Sequence, residues 1–553
     1  MSRTFSAFSR KDDLKHIQET AFDLTVVGGG VTGAGIALDA ASRGMNVLLL
    51  EKGDFASGTS SKSTKLIHGG LRYLKQFEFG LVKETGQERS IVHKLAPHLA
   101  VPEKMLLPFV TDGTYGSMTT SVGLKVYDFL ADVVKKDRRI MLDKVKTLAT
   151  EPLLNKSIVE GGGVYSEYRT DDSRLTIEIL KTAHSYETVV LNYAEVKSFT
   201  YSDGQIKGVS FIDKLGKKEY QVKSKKVVVA AGPWLDSILN KEDQSLPKKL
   251  RLTKGVHLVV PHKKFPISQP VYFDTPDERM VFAIPRGKTT YIGTTDTEYK
   301  GPLDRVVATE SDLKYLLGAL KRVFPDVKLT RKDVVSNWAG LRPLIDEEGK
   351  SPSELSRKDE VYEMEDGLIA IAGGKLTGYR RMAERVVDLV QEGIDMKYKI
   401  PCRTSMIPLT DHPFTNYDMA RKAIKHYADL LAETGLDAYW GWHLIMTYGS
   451  NTALIWRKFE ESETKDEEAL LKAELWYCLN HEMVHTAVDF LVRRTGRLYF
   501  DIDQLLQYKE LVINQLADQF KWKPARKKEE LALLDLYVTD ATTYYEDESK
   551  IDN

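Results

Sequence analysis

Phe22 to Val27 reads as a buried strand that runs straight into Gly28-Gly29-Gly30-Val31-Thr32-Gly33. Small, helix-forming residues then carry the chain from Ala34 to Arg43, and Asn46 to Leu50 resumes as a second apolar strand. This strand, turn, helix, strand unit constrains the fold more than any other segment, because Gly28, Gly30 and Gly33 satisfy G-x-G-x-x-G. The first glycine allows a tight turn, the second lets a pyrophosphate approach the backbone, and the third lets the helix pack on the strand. Three glycines alone are a weak signal in a chain that has 38 of them. Their context is stronger. The helix opens with N–H groups that have no intrahelical acceptor and bind phosphate. Glu51, 18 residues after Gly33, ends the second strand, where a carboxylate accepts from a ribose hydroxyl. The unit predicts an adenine dinucleotide site.

With 553 residues the chain is long enough for about three or four domains. Lys plus Arg and Asp plus Glu both number 79, so no global cationic field attracts nucleic acid and any recognition of charge is local. Cys402 and Cys478 are the only cysteines, too few for a disulfide framework, a four-thiolate zinc site or an iron–sulfur cluster, and they point to a reducing compartment. Met1 to Thr20 lacks the apolar core of a secretory signal, and no apolar run approaches the roughly 18 residues of a membrane span. The expectation is a cytoplasmic protein whose contact with a membrane is peripheral.

Further along, a helical stretch from Ser173 to Tyr186, strands at Val189 to Leu191 and Ile206 to Phe211, and the apolar strand Lys226 to Ala231 read as a return to the first sheet. Val256 to Val260, Val281 to Ile284 and Thr290 to Ile292, separated by Pro and Gly, imply a second sheet, and Leu368 to Ala372 is one more strand before Gly373-Gly374. After about Pro401, Asn416 to Thr434, Glu467 to Arg494 and Asp503 to Phe520 show helical apolar spacing and read as a separate helical domain. No fixed-period repeat occurs, and the basic run Lys521 to Lys528 and the acidic tail from Glu546 read as solvated ends.

Nicotinamide and flavin enzymes share the glycine fingerprint. The two later strands ending in small residues, at Ala231-Gly232 and at Gly373-Gly374, favour flavin. The second runs into Lys375-Leu376-Thr377-Gly378, a helix start whose N–H groups stabilise negative charge on a reduced flavin ring.

The segment Thr59-Ser60-Ser61-Lys62-Ser63-Thr64-Lys65-Leu66-Ile67-His68-Gly69-Gly70-Leu71-Arg72-Tyr73-Leu74 closely resembles the flavin-linked glycerol-3-phosphate dehydrogenases. The resemblance continues in Leu252 to His257, Ile292-Gly293-Thr294-Thr295-Asp296, Gly340-Leu341-Arg342-Pro343-Leu344, Ser356-Arg357 with Asp359, Gly373 to Thr377, and Val492-Arg493-Arg494-Thr495. It implies an FAD domain of the glutathione-reductase and D-amino-acid-oxidase type, a mixed-sheet substrate domain and a helical C-terminal domain. The expected boundaries are 20–100, 166–245 and 341–398 for the FAD domain, 101–165 and 246–340 for the substrate domain, and 399–553 for the helices. It also implies oxidation of sn-glycerol 3-phosphate to dihydroxyacetone phosphate, with electrons passed through FAD to a membrane quinone at the inner face of the cell membrane. Positions matching Arg72, Tyr73, His257, Arg342, Arg357 and Lys375 surround substrate and flavin in that family.

Within this reading a phosphomonoester needs guanidinium forks, which Arg342 and Arg357 supply, with Tyr73 and Thr295 as further substrate contacts. His257 is the first candidate for the proton acceptor, and Arg72 and Lys375 are alternatives for stabilising a developing alkoxide; the sequence does not rank the three. Ser60, Ser61 and the backbone from Lys65 through His68 to Gly69, with Ala231, Gly232, Gly373, Gly374, Leu376 and Thr377, are expected to contact a noncovalently bound flavin. A glycerol-3-phosphate oxidase using oxygen, or an FAD-binding scaffold without turnover, is the alternative. His481-Glu482-Met483-Val484-His485 matches the H-E-x-x-H zinc motif, but Val488 and Leu491 stand where the longer form needs Gly and His, so zinc proteolysis is the remote reading and no metal is expected. Phe5 and Phe8 near Arg3 and Arg10, and Trp522 in the basic run, are candidate membrane patches, and a homodimer is a further partner the sequence allows.

Overall fold

The computed structural model describes residues 4–68, 78–113, 138–347, 349, 355–394, 398–409 and 414–546. Gly69, Arg72 and Tyr73 therefore lie outside the described residues, as do Arg3 and the acidic tail beyond Glu546.

The first sheet has eight strands, and its main path runs Asp359–Glu363, Ile369–Gly373, Lys218–Val229, Ala21–Val27, Val47–Leu50, Val189–Leu191. Ala21–Val27 pairs in parallel with Lys218–Val229 on one side and Val47–Leu50 on the other, and Lys218–Val229 pairs in parallel with Ile369–Gly373. Parallel strands are covered on both faces, which is why Val47–Leu50 and Val227–Val229 are apolar at every position. The helix Val31–Ser42 lies against this sheet and is flanked by the helices Asp172–Ser185 and Tyr379–Glu392, so three segments far apart in sequence build one layer.

The second sheet has ten strands, ordered Thr297–Glu298, Leu250–Pro261, Thr289–Gly293, Met280–Arg286, Val271–Asp274, Val101–Val110, Val159–Arg169, Leu66–Ile67 along its main path. Ser336–Ile345 pairs antiparallel with Leu250–Pro261 through ten positions, from Leu250 opposite Ile345 to Val259 opposite Ser336. Side chains alternate along Leu250–Pro261. Val256, Leu258 and Val260 pack with Leu313, Leu316 and Leu320 of the helix Glu310–Val323, while Val259 belongs to the core shared with the C-terminal helices.

Some expected boundaries move. Val159–Arg169 and Ser336–Ile345 are continuous strands of the second sheet that run through residues 165 and 340, and Leu66–Ile67, expected within the flavin domain, is an edge strand of the second sheet. In the helical region Tyr417–Glu433 and Ile502–Phe520 match expectation within a residue or two. The helix expected from Glu467 to Arg494 instead ends at His481, the chain turns with Met483 in the left-handed region (φ 52°), and a separate π-helical turn covers Asp489–Arg494. The basic run is not a chain end: it forms the turn into the helix Pro524–Thr542, which carries Leu534 and Ala541 into the core.

Candidate active site

A cavity of about 320 Å³ opens between the two sheets. Its wall takes Gly28, Gly30 and Glu51 from the glycine unit and Ala231, Gly232, Gly373, Gly374, Lys375, Leu376 and Thr377 from the two later returns. The second sheet adds His257, Gly340 and Arg342, and the connecting segment adds Ser60, Lys62, Thr64 and His68. The sequence elements expected to converge do so.

At one end the turn is built for close approach. Gly28 has φ 116°, and a Cβ there would stand 2.5 Å from the carbonyl oxygen of Ala230, just past the end of the neighbouring strand. A Cβ at Gly33 would overlap the Gly28 carbonyl, so Gly33 packs helix on strand and does not itself line the cavity. Ser60 spends its hydroxyl oxygen on the Val31 N–H at 2.9 Å and so caps the start of the helix. Glu51 accepts from the Gly29 N–H at 2.7 Å and from the Gly53 N–H at 2.8 Å. Burial raises its pKa, and those two N–H groups offset part of the rise. Each oxygen keeps a second lone pair for a ribose hydroxyl. The donors at the helix mouth, the bare glycine backbone and this carboxylate fit the pyrophosphate and ribose of an adenine dinucleotide.

The other end is cationic. Arg342 Nη2 donates to Thr294 Oγ1 at 2.8 Å, and Arg342 Nη1 stands 3.2 Å from Asp296 Oδ1. Arg357 Nη2 lies 3.7 Å from the other oxygen of the same carboxylate. Two guanidinium groups thus share Asp296. Lys375 Nζ donates to the His68 carbonyl at 3.2 Å, and Thr377 Oγ1 donates to that oxygen at 3.3 Å. Burial, followed by the Lys375, Arg357 and Arg89 charges, holds the His68 imidazole well below its ordinary range.

His257 sits on Leu250–Pro261 opposite Trp338 and Gly293, with 1% exposure. Its ring stacks on Trp338 with centroids 4.6 Å apart and planes 11° apart. On the Gly293 side a Cβ would overlap the ring, approaching Cγ at 2.7 Å, so only glycine leaves room for it. Burial, then the Arg342 and Lys65 charges, pushes the His257 pKa well below its ordinary value, so the imidazole is neutral at neutral pH.

Several expected contacts are not on this wall. Lys65 is buried in an ion pair with Asp172 at 2.5 Å and donates to the Ser61 carbonyl at 3.1 Å. Ser61 is itself buried, with its hydroxyl 3.4 Å from the Gly58 carbonyl. Thr295 is buried in the connection between Thr289–Gly293 and Thr297–Glu298, its hydroxyl accepting from the Val256 N–H at 3.0 Å; its carbonyl, not its side chain, receives the Arg342 guanidinium. Lys62 and Thr64 were not singled out, yet both line the cavity. Lys62 has its pKa pushed down to about 8 by burial and then by Arg493.

The H-E-x-x-H motif is dismantled. His481 is the last helical residue, and the Glu482 carboxylate is held by both Nη groups of Arg174 at 2.6 Å. The His485 imidazole is pushed down to about 3, by burial first. The two histidines do not share a helical turn, as that zinc chemistry requires. Two membrane candidates also change: Phe5 is buried, and Arg10 is a buried partner of Asp213 at 2.7 Å.

Residues 23–380 match the family model described as FAD dependent oxidoreductase, and residues 402–527 match that of the C-terminal domain of alpha-glycerophosphate oxidase. An aerobic glycerol-3-phosphate dehydrogenase of Bacillus subtilis (strain 168) is 48% identical over 551 residues, covering 98% of this chain and 99% of that protein. One of the same name from Staphylococcus aureus (strain USA300) is 48% identical over 528 residues, covering 94% of this chain and 95% of its own. Among solved structures, the glycerol-3-phosphate dehydrogenase from Bacillus halodurans complexed with FAD aligns with a TM-score of 0.84 at 40% identity, covering 99% of this chain and 100% of that one.

Proposed function

The chain belongs to the FAD-dependent glycerol-3-phosphate dehydrogenases, and from that premise we propose that its cavity oxidises sn-glycerol 3-phosphate to dihydroxyacetone phosphate with the residues described above in distinct roles. Gly28, Gly30, the mouth of the helix Val31–Ser42 and Glu51 hold the adenine dinucleotide half of FAD, and the returns at Ala231-Gly232 and Gly373 to Thr377 hold the rest. Bound FAD supplies the acceptor for the two electrons of the substrate C2–H bond.

The observation that carries the substrate assignment is the pair of guanidinium groups on one carboxylate beside a neutral imidazole. A phosphomonoester brings nearly two negative charges, and the Arg342 and Arg357 forks match its oxygens in geometry as well as charge. Arg342 is oriented from behind by Thr294, the Thr295 carbonyl and Asp296, so little rotamer freedom is lost on binding. Lys375, fixed by the His68 carbonyl, places positive charge where an alkoxide develops. His257 is the final proton acceptor.

Anaerobic addition of glycerol 3-phosphate bleaches the visible flavin spectrum on this reading, whereas glycerol and amino acids do not. Replacing His257 by Asn slows that bleaching about 10²- to 10⁴-fold with little change in substrate affinity, and equal rates would exclude His257 as the base. The electrons then pass to a membrane quinone, and reoxidation by a quinone faster than by oxygen supports this. No helix among the described residues is long and apolar enough to cross a membrane. The contact we favour is peripheral. Phe8, 48% exposed, and Trp522 both pack against Phe520, beside the exposed Lys521, Lys523, Lys527 and Lys528, which together suit an anionic lipid surface.

A further inference from the structure

An imidazole nitrogen has a single hydrogen-bonding direction, in the plane of the ring. In His257 that of Nε2 is already taken: Thr64 Oγ1 lies 3.0 Å away. Nδ1 is buried and has no partner among the described residues, so the ring exchanges a proton only through Nε2, and accepting one there requires the tautomer with its proton on Nδ1. The ring cannot turn to offer Nε2 elsewhere, because Trp338 stacks on one side and Gly293 touches the other. The same surroundings hold Thr64. The Tyr291 hydroxyl donates to the Thr64 carbonyl at 3.1 Å, and Trp338 Nε1 donates to the Ser63 carbonyl at 3.2 Å. Thr64 itself lines the cavity. A substrate hydroxyl therefore meets the Thr64 hydroxyl before it can meet Nε2.

We propose that Thr64 is a catalytic residue whose hydroxyl relays the proton from the substrate C2 hydroxyl to His257 Nε2. This rests on the reading that the cavity oxidises glycerol 3-phosphate. In the step the substrate O–H bond breaks and its proton joins Thr64 Oγ, while the original Thr64 proton joins His257 Nε2. Bound FAD would accept the electron pair of the C2–H bond as the C2–O bond becomes a carbonyl. Thr64 ends unchanged and His257 ends as an imidazolium.

Thr64→Val keeps the shape of the side chain and removes the hydroxyl. The expected result is anaerobic flavin reduction slowed about 100-fold or more, with Thr64→Ser within about tenfold of wild type. Affinity measured by calorimetry gives a readout independent of turnover: Thr64→Val weakens glycerol 3-phosphate by about 2- to 10-fold, the loss of one hydrogen bond. The same variant leaves binding of 1,3-propanediol monophosphate, which lacks the C2 hydroxyl, unchanged. Reduction by Thr64→Val within about tenfold of wild type, Thr64→Ser as slow as Thr64→Val, or equal weakening of both ligands would each overturn the relay. A wild-type protein that glycerol 3-phosphate fails to bleach would instead overturn the underlying reading, whatever the variants do.

Discussion

Asp54→Asn removes one charge at the junction between the glycine unit and the C-terminal helices. The Asp54 carboxylate has no solvent exposure and accepts from Arg493 Nε at 2.5 Å, Arg494 Nη1 at 2.7 Å, Arg494 Nη2 at 2.9 Å and Asn192 Nδ2 at 3.1 Å. Burial alone would raise its pKa, but the Arg494 and Arg493 charges hold it well below the usual carboxylate range. Breaking a buried pair from one side costs about 3 to 5 kcal/mol, because the partner charge stays in place without compensation. Here Arg493 keeps Asp489 at 2.8 Å and Arg494 keeps the Glu482 carbonyl at 2.9 Å, so the lower end, about 3 kcal/mol, is expected. Against a typical total of about 5 to 15 kcal/mol this is large. The assay is urea denaturation of wild type, Asp54→Asn, Arg494→Met and the double variant. The double variant should be less destabilised than the sum of the two single ones. FAD should also dissociate more readily from Asp54→Asn, since Asp54 anchors a loop whose Ala56 N–H donates to the Gly29 carbonyl at 3.0 Å. A loss below about 1 kcal/mol, or strict additivity, would refute the view that this carboxylate pins the two regions together.

Arg342→Ala should weaken glycerol 3-phosphate about 30-fold to several thousand-fold, the equivalent of about 2 to 5 kcal/mol for truncating a buried charge partner, while FAD stays bound; an unchanged KM would remove Arg342 from the site. Gly293→Ala adds a methyl that overlaps the His257 ring, so flavin reduction should slow at least about tenfold, and a rate equal to wild type would mean the ring position does not matter to chemistry. Acid should destabilise the fold early. Burial leads the lowering of the pKa of His68, His98, His257 and His485 in the folded chain, so below about pH 6.5 the unfolded chain binds more protons and stability falls with pH, by up to about 1.4 kcal/mol per unit for each histidine. Denaturation between pH 5 and 7.5 should show that slope reduced in His485→Gln, and a slope identical to wild type would count against a buried neutral His485.

The glycine turn and Glu51 are legible because everything that defines them is local: a strand, a spacing and a helix start within about thirty residues. Arg342, Arg357, His257 and Lys375 entered only through resemblance, because the contacts that give them their roles are between strands distant in sequence. Thr295 and the Lys65 side chain are also committed by distant contacts. Thr295 lies in the connection between Thr289–Gly293 and Thr297–Glu298, outside strand alternation, and its hydroxyl is spent on the Val256 N–H. Lys65 finds its partner in Asp172, 107 residues away. Lys62 and Thr64 had no periodic signal: Ser63 between them lines the cavity too, and alternation is confined to the short strand Leu66–Ile67. The break after His481 had no signal either: apolar spacing persists through Val484 and Ala487 because the chain stays buried, and no Gly or Pro marks the left-handed Met483.

The two halves of the cavity are positioned by different physics. His257, Gly293 and Arg342 belong to three neighbouring strands, with His257 opposite Gly293 and Thr253 opposite Arg342, so the distance from the imidazole to the guanidinium is set by ladder register. Changing that distance requires a slip of the ladder, which would turn every alternate side chain to the other face. The cofactor end sits on the other sheet, and among the described residues no backbone ladder joins the two. Their relation depends on the segment from Gly58 to His68, on the buried Lys65–Asp172 pair and on the Asp54, Arg493 and Arg494 cluster. Side-chain pairs yield individually where a ladder does not. Substitutions in the register-bound half should therefore act on the chemical step with the fold intact. Those in the charge cluster should act first on stability and on flavin retention, and reach the chemistry only through the spacing between the two sheets.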